Sequence, residues 1–556
     1  MKIPQLLLFL LFATNIHAQT TRWAKDIGDS SDITWPNAIC TDNNNVYLAG
    51  FYRTQLTVCD TLPSVFQLTL PQANCNMIIS KFDSSGNCKW SVPGIAISNW
   101  PPDVPGFSSI KYDGMGNLYA TGGFTDTMVF HSDTVRSTSC THGDCNVAYI
   151  VKLDTNGNVL WNKSFGGPSA STQQISYMVL GANGNVYVTG LYQDSIVMDG
   201  IVLEGSNPWT YKGFIAEINS SGHCVWIKNV CSAGGLEGMD GITTDGQNIY
   251  AMGCFADSLV FPTSTIHQPT YYSSFIAKYD STGNFIWVYG GSPQITRYLV
   301  YGGIKYDDAG HLYVTGEFVD STTFGSTTMV MPATVGSCIA RLDTAGNLDW
   351  AFTPGCRAGD DGGNITSPDN TGFYYFTSYQ DTAHIGASTY VSAGMDDFLL
   401  VRYDTDHSVV WSKSFGGTKH ENAVDIVSRN GMIYYAGFTY STYTVDGFSI
   451  VNHNYMDVVL SRIDDPVTFL PLQTSKQARN GANTNIFPNP TTGIINLQSQ
   501  SAAATIYVLS ITGQLLRSQT RNTNFATIDI SAFPSGIYLL KDISAAGVAT
   551  FRVIKE

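Results

Sequence analysis

At 556 residues the chain is too long for one ordinary core, so several domains or a repeat array are expected. Only 13% of residues are charged, 12% are aromatic and 53 are glycine, a mix that suits short, turn-rich strands and argues against disorder. A net charge of −15 with no basic run argues against a nucleic-acid partner, and no apolar run reaches the roughly 18–20 residues of a membrane helix.

The chain opens with MKIPQLLLFLLFATNIHA (1–18), in which one cation, Lys2, precedes an apolar stretch and the small residue Ala18. That pattern reads as a cleavable signal peptide, so the protein is expected outside the cell or on its outer surface. Eleven cysteines in an exported chain allow disulfides, while the odd count leaves one thiol over. Cys59 with Cys75 and Cys140 with Cys145 are the closest local pairs, and without a C-x-x-C pattern no zinc site is expected.

From residue 19 two phrases alternate. The first is SKFDSSGNCKW, ending at Trp90, which returns with variation at Trp161, Trp226, Trp287, Trp350 and Trp411. The second is NVYLAGF at Tyr47, which returns at Tyr119, Tyr187, Tyr250, Tyr313, Tyr374 and Tyr434, at spacings of 72, 68, 63, 63, 61 and 60 residues. A period of this size is the mark of a repeat architecture. Each period reads as four strands joined by D-x-x-G hairpin turns, where Asp accepts backbone N–H bonds and Gly supplies a positive φ. Repeated four-stranded sheets predict an all-β fold, a seven-bladed β-propeller over 19–465. The last third strand, VVLSRID (458–464), has no Trp strand after it, and TRWAKDIG around Trp23 has no third strand before it. The two ends are therefore expected to complete one blade together and close the ring.

These phrases resemble the bacterial β-propeller repeat family with units D-x-x-G-N-x-Y-x-x-G and F-x-A-K-x-D-x-x-G. That resemblance implies a scaffold and no catalytic activity. Thr377, where most copies have Gly, and Asp406-His407-Ser408 in the sixth turn depart from the pattern. The docking motif of quinone-dependent dehydrogenase propellers is also similar, around Asp280, Gly283 and Trp287. Its Asp-to-Gly spacing is one residue longer, and no cofactor-holding set accompanies it here.

Residues 466–484 read as a linker, and four or more strands between Gly and Asn turns predict a small β-sandwich over 485–556. Pro488, Asn489, Pro490 and Gly493, then Gly513, then Pro534, Gly536 and Tyr538, and the closing V-I-K-E, resemble the C-terminal sorting domain of the type IX secretion system, type A. The resemblance implies the secretion machinery as a partner, with release or attachment to the cell surface as the end point.

Functional residues are expected on the long, variable loops of one face. There the segments leading to the channel carry Asp32, Glu237, Asp240, Asp360, Asp361 and Glu421, read as binding acids or as plain solvated loop acids. No cofactor is expected; Ca²⁺ is the one ion these acids could hold if they converged. Seven residues after the repeated Tyr stand Asp126, Asp194, Asp257, Asp320 and Asp381, each followed by Ser or Thr. They read as Asx turns opening an insertion hairpin, or as short O-glycosylation sequons modified at Thr127, Ser195, Ser258, Ser321 and Thr382. H-E-x-x-H, G-x-S-x-G and P-loop signatures are absent. The reading favours a non-catalytic protein that presents loops to a glycan, protein or surface ligand. The alternatives are a polysaccharide hydrolase or lyase using carboxylates at the channel mouth, and a purely structural surface-layer component.

Overall fold

A computed structural model describes residues 19–465 and 485–556 except 29–33, 43, 53–57, 59–75, 98–105, 126, 131–132, 137–145, 168–171, 182–183, 206–209, 232–235, 291–302, 308, 359–362, 367–368, 370, 430, 454–455, 500–503, 511–514, 535, 545–546 and 556. The expected signal peptide, Cys59, Cys75, Cys140, Cys145, Asp126 and Gly513 lie outside the described residues. The chain forms two compact units, Met1–Asp465 and Pro466–Glu556. Both are all-β, with many antiparallel sheets and no α-helix among the described residues.

In the first unit, consecutive strands pair in order. Thr34–Thr41, Asn45–Tyr52, Asn76–Asp83 and Cys88–Ile97 form one such run, and Gln173–Leu180, Val186–Tyr192, Lys212–Ile218 and Cys224–Asn229 another. One pairing between strands far apart in sequence joins the two ends of the unit. Thr20–Ile27 pairs antiparallel with Asp457–Asp464, Trp23 opposite Arg462, and completes the sheet of Glu421–Arg429 and Met432–Thr439.

Register explains why Tyr, a cation and Trp recur together. Tyr47 lies opposite Lys81, and Lys81 opposite Trp90, on three neighbouring strands. The Lys81 ammonium sits 5.5 Å over the Tyr47 ring, and the Tyr47 and Trp90 rings are 6.1 Å apart. The arrangement recurs with Tyr119, Lys152 and Trp161, and with Tyr250, Lys278 and Trp287. Trp23 meets Tyr434 at the same 6.1 Å although the two are far apart in sequence.

The cation and the indole then reach the next sheet. Lys81 Nζ and Trp90 Nε1 both donate to Thr155 O, at 2.9 and 3.1 Å, while Lys152 and Trp161 both donate to Ser220 O. That carbonyl belongs to a turn held by its own Asp: Asp154 accepts from the backbone N–H of Asn156 and Asn158 and from the Asn158 amide. A Cβ on Gly157, at φ +88°, would meet Trp90 at 3.1 Å, so glycine serves both the turn and the docking. At the ends of the unit, Trp23 Nε1 and Arg462 Nη1 both donate to Ser84 O, at 3.0 and 2.6 Å. In the departing sixth turn His407 takes the glycine's place with φ 55°; Asp404 still accepts from Asp406 and Ser408, and the imidazole stacks on Phe352 at 5.0 Å.

In the second unit a three-stranded and a four-stranded sheet share a core that includes Ile495, Leu497, Ile506, Ile528 and Leu540. The Pro-Asn-Pro segment is tied to the last strand, Gly547–Lys555. Asn489 donates to Arg552 O and accepts from Ile554 N, and Thr491 N donates to Ile554 O. A side chain at Gly493 would strike Ser531, and Tyr538 OH donates to Pro534 O at 2.6 Å. Gly536 holds a positive φ of 159° with open space beside it.

Candidate ligand-binding cavity

The first strand of each run contributes to a cavity of about 780 Å³ in the first unit. Its wall draws on Thr34–Thr41, Gly106–Tyr112, Gln173–Leu180, Leu236–Thr244, Ile304–Tyr306, Asn364–Ile365 and Glu421–Arg429. Most of these strands carry a β-bulge toward their second strand, between Pro36 and Ala38, Phe107 and Ser109, Ile175 and Tyr177, Met239 and Gly241, and Ala423 and Asp425. The residue left out of register at each, Asn37, Ser108, Ser176, Asp240 or Val424, lines the cavity. A bulge re-aims one side chain out of the pleat, and here the aim is inward.

Four charged groups face the cavity: Lys111, Asp240, Lys305 and Asp425. Asp425 Oδ2 accepts from Ile39 N of the neighbouring strand, and Oδ1 from Ile426 N, both at 2.9 Å. Burial pushes Asp240, only 4% exposed, up to about 7, with Cys254 opposing, so its carboxyl is about half protonated near pH 7. Burial and then the like charge of Lys111 bring Lys305 down to about 8, with Asp425 pulling the other way. Among the described residues neither lysine forms a salt bridge; the lysine pairs present, Lys89 with Asp83 and Lys413 with Asp446, lie elsewhere. Trp35, Tyr112 and Tyr177 add aromatic surface, and Asn37 keeps a buried carbonyl oxygen without a hydrogen-bond donor. The result is a polar, aromatic-walled site with two cations. It has one carboxyl raised to about 7, Asp240, and one carboxylate held by two backbone N–H groups, Asp425.

Of the six acids singled out from sequence, Asp240 lines this cavity. Asp32, Asp360 and Asp361 lie outside the described residues, as does the side chain of Glu237. Glu421 is fully buried and turned to structural work: it accepts from Gly417 N at 2.9 Å and from Thr439 Oγ1 at 2.8 Å. Beside it Asp397, 3% exposed, is raised to about 6 by burial with the Glu421 charge adding, and Asp396 is bound by His420. No group of three or more metal-ligating side chains is present among the described residues.

Asp194, Asp257, Asp320 and Asp381 all take positive φ, between 56° and 67°, and Asp257 and Asp320 stand at register shifts where the insertion hairpin leaves the main sheet. Asp tolerates this left-handed region better than most residues, which accounts for its recurrence. Of the hydroxyls that follow, Thr382 is exposed, Thr127, Ser258 and Ser321 are partly buried, and Ser195 is buried. Cys88 is disulfide-bonded, whereas Cys40, Cys224, Cys231, Cys338 and Cys356 are free thiols.

Sequence reading missed Lys111 and Lys305. Their signal was the phrase I-K-Y-D, written at 110–113 and again at 304–307, which puts a lysine at the same register of two first strands.

Residues 485–556 match the family described as a secretion system C-terminal sorting domain. This type IX sorting signal marks the protein for export to the cell surface or beyond and implies contact with the secretion machinery. A stretch of 268 residues, 42% of the chain, is 26% identical to an uncharacterized WD repeat-containing protein of Acanthamoeba polyphaga mimivirus, of which the chain spans only 19%. Among solved structures, a puromycin hydrolase is similar over 87% of this chain and 61% of its own, at 11% identity and a TM-score of 0.39. A variant of the Synechocystis apocarotenoid oxygenase is similar over 80% of this chain and 93% of its own, at 10% identity and a TM-score of 0.38. No helix of the described residues is long and apolar enough to cross a membrane.

Proposed function

We propose that this chain is an exported, non-catalytic binding protein, a seven-bladed β-propeller over 19–465 built from the bacterial propeller repeat. A signal peptide over 1–18 precedes it, and a linker over 466–484 and the sorting domain over 485–556 follow. Closure of the ring by Thr20–Ile27 is supported by its pairing with Asp457–Asp464 and by Trp23 and Arg462 sharing Ser84 O. The observation that carries the binding role is the cavity walled by first strands, with bulges that turn one side chain after another into it. A large concave site with a few convergent polar groups is the usual form of a ligand site.

The test sets a glycan array beside a reducing-sugar assay on the mature chain. Binding without turnover, weakened when Ser176→Trp narrows the cavity, is the expected result. Turnover that disappears in Glu237→Gln or Asp240→Asn would replace the binding reading with the hydrolase.

A further inference from the structure

We propose that the cavity binds an acidic saccharide, its carboxylate held by Lys111 and Lys305 and its sugar face laid on the aromatic wall. This rests on the binding role above and names the ligand's chemistry.

Charge leads the argument. The protein as a whole carries −15, yet two of the four charged side chains that line the cavity, Lys111 and Lys305, are cations. Elsewhere the cations of the repeat are consumed by the fold: Lys81, Lys152 and Lys278 lie over tyrosines and donate to turn carbonyls. Lys111 and Lys305 have neither arrangement, nor a salt bridge among the described residues. They come from different first strands, Gly106–Tyr112 and Ile304–Tyr306, and line the same cavity, where the Lys111 charge lowers the pKa of Lys305. Two like charges brought into one partly desolvated space cost free energy that an anion between them offsets. The nearby acids offset it only in part: Asp425 attracts Lys305 but is held by two backbone N–H groups, and Asp240 is about half protonated near pH 7.

The remaining wall separates a sugar acid from a bare inorganic anion. Trp35, Tyr112 and Tyr177 line the cavity, and aromatic side chains pack against the C–H surface of a pyranose, an energy that phosphate or sulfate cannot draw on. The buried Asn37 carbonyl oxygen lacks a donor among the described residues, which a ligand hydroxyl provides. The space of about 780 Å³ suits a short oligosaccharide. A long polyanion such as nucleic acid meets the repulsion of the acidic exterior.

Calorimetry on the full mature chain tests this with an oligogalacturonate, a neutral oligosaccharide of equal length, and inorganic phosphate, against the wild type, Lys111→Gln, Lys305→Gln and Lys305→Arg. The expected result is binding of the oligogalacturonate alone, weakened at least about tenfold by either Gln variant and largely restored by Lys305→Arg. Circular dichroism melts confirm that each variant is folded. If the neutral sugar binds equally well, or the Gln variants leave affinity unchanged, the acidic-saccharide assignment falls while the binding role stands. Lysine-dependent binding of phosphate with no uronate binding overturns the sugar and leaves an anion site. If none of the three probes binds, the assignment falls, and only an array with no ligand of any class removes the binding role as well.

Discussion

Gly86 offers a direct measure of how the two ends of the first unit are joined. It lies in the turn whose Ser84 carbonyl receives Trp23 and Arg462, its φ is +80°, and an added Cβ would stand 2.7 Å from Trp23 Cδ2 and 2.9 Å from Cγ. Gly86→Ala therefore carries two costs. The left-handed backbone costs an alanine about 1–2 kcal/mol, and displacing a packed indole adds about 1–3 kcal/mol. Gly246 isolates the first cost, since its φ is +86° and nothing lies within 4 Å of an added Cβ. Urea denaturation followed by circular dichroism is expected to show Gly86→Ala as the more destabilising of the two by about 1–3 kcal/mol. Trp23→Ala alone, removing a side chain 5% exposed, should cost about 3–5 kcal/mol. In the Trp23→Ala background the clash is gone, so Gly86→Ala should fall back to about 1–2 kcal/mol, the cost seen at Gly246. Equal costs in both backgrounds would mean that the N-terminal Trp does not dock on this turn, and the proposed closure would fail with it.

Asp397 has a folded pKa raised from 3.8 to about 6, so the fold favours its neutral form. The stability this contributes is full below about pH 4 and is lost as pH rises through 6; Asp397→Asn should raise the melting temperature at pH 7–8 and leave it unchanged at pH 4. Asp83 behaves oppositely: against slight burial, hydrogen bonds from Lys89, Asn87 and Ser85 hold it at about 2. Its contribution is present above about pH 4 and disappears as pH falls to 2, so Asp83→Asn should flatten the acid limb of a melting-temperature profile. Glu421→Ala should lower stability by about 2–5 kcal/mol in denaturant melts, because two buried donors lose their acceptor; ligand affinity at 25 °C should not change. His407→Gly should be nearly neutral, trading about 1–2 kcal/mol of backbone cost for about 0.5–1.5 kcal/mol of lost stacking. His407→Val forfeits the stacking and keeps the strain, and a lower melting temperature than wild type is the check.

Much of the scaffold was legible because it is written locally and repeatedly. An Asp that accepts N–H bonds, a Gly with positive φ and a Tyr, cation and Trp in fixed register recur at one period, and each requirement belongs to a turn or to neighbouring strands. The sorting domain was legible for a similar reason, since Pro488, Asn489, Gly493 and Tyr538 stand in fixed order around one small core. The sequence could even pose the question of the ends, through a strand missing after Asp464 and one in surplus around Trp23.

The cavity was not legible, because its lining depends on bulges. Strand alternation says which residues share a face, but one unpaired residue reverses that assignment, and five first strands carry such a residue toward the cavity. Glu421 looked like a channel acid and is a buried hydrogen-bond acceptor, while Lys111 and Lys305, which the sequence did not single out, both face the cavity. Local chemistry determined the turns and strands. Which charges share one enclosed space was decided only by tertiary structure, because residues 65 to 314 positions apart in sequence must first be brought side by side.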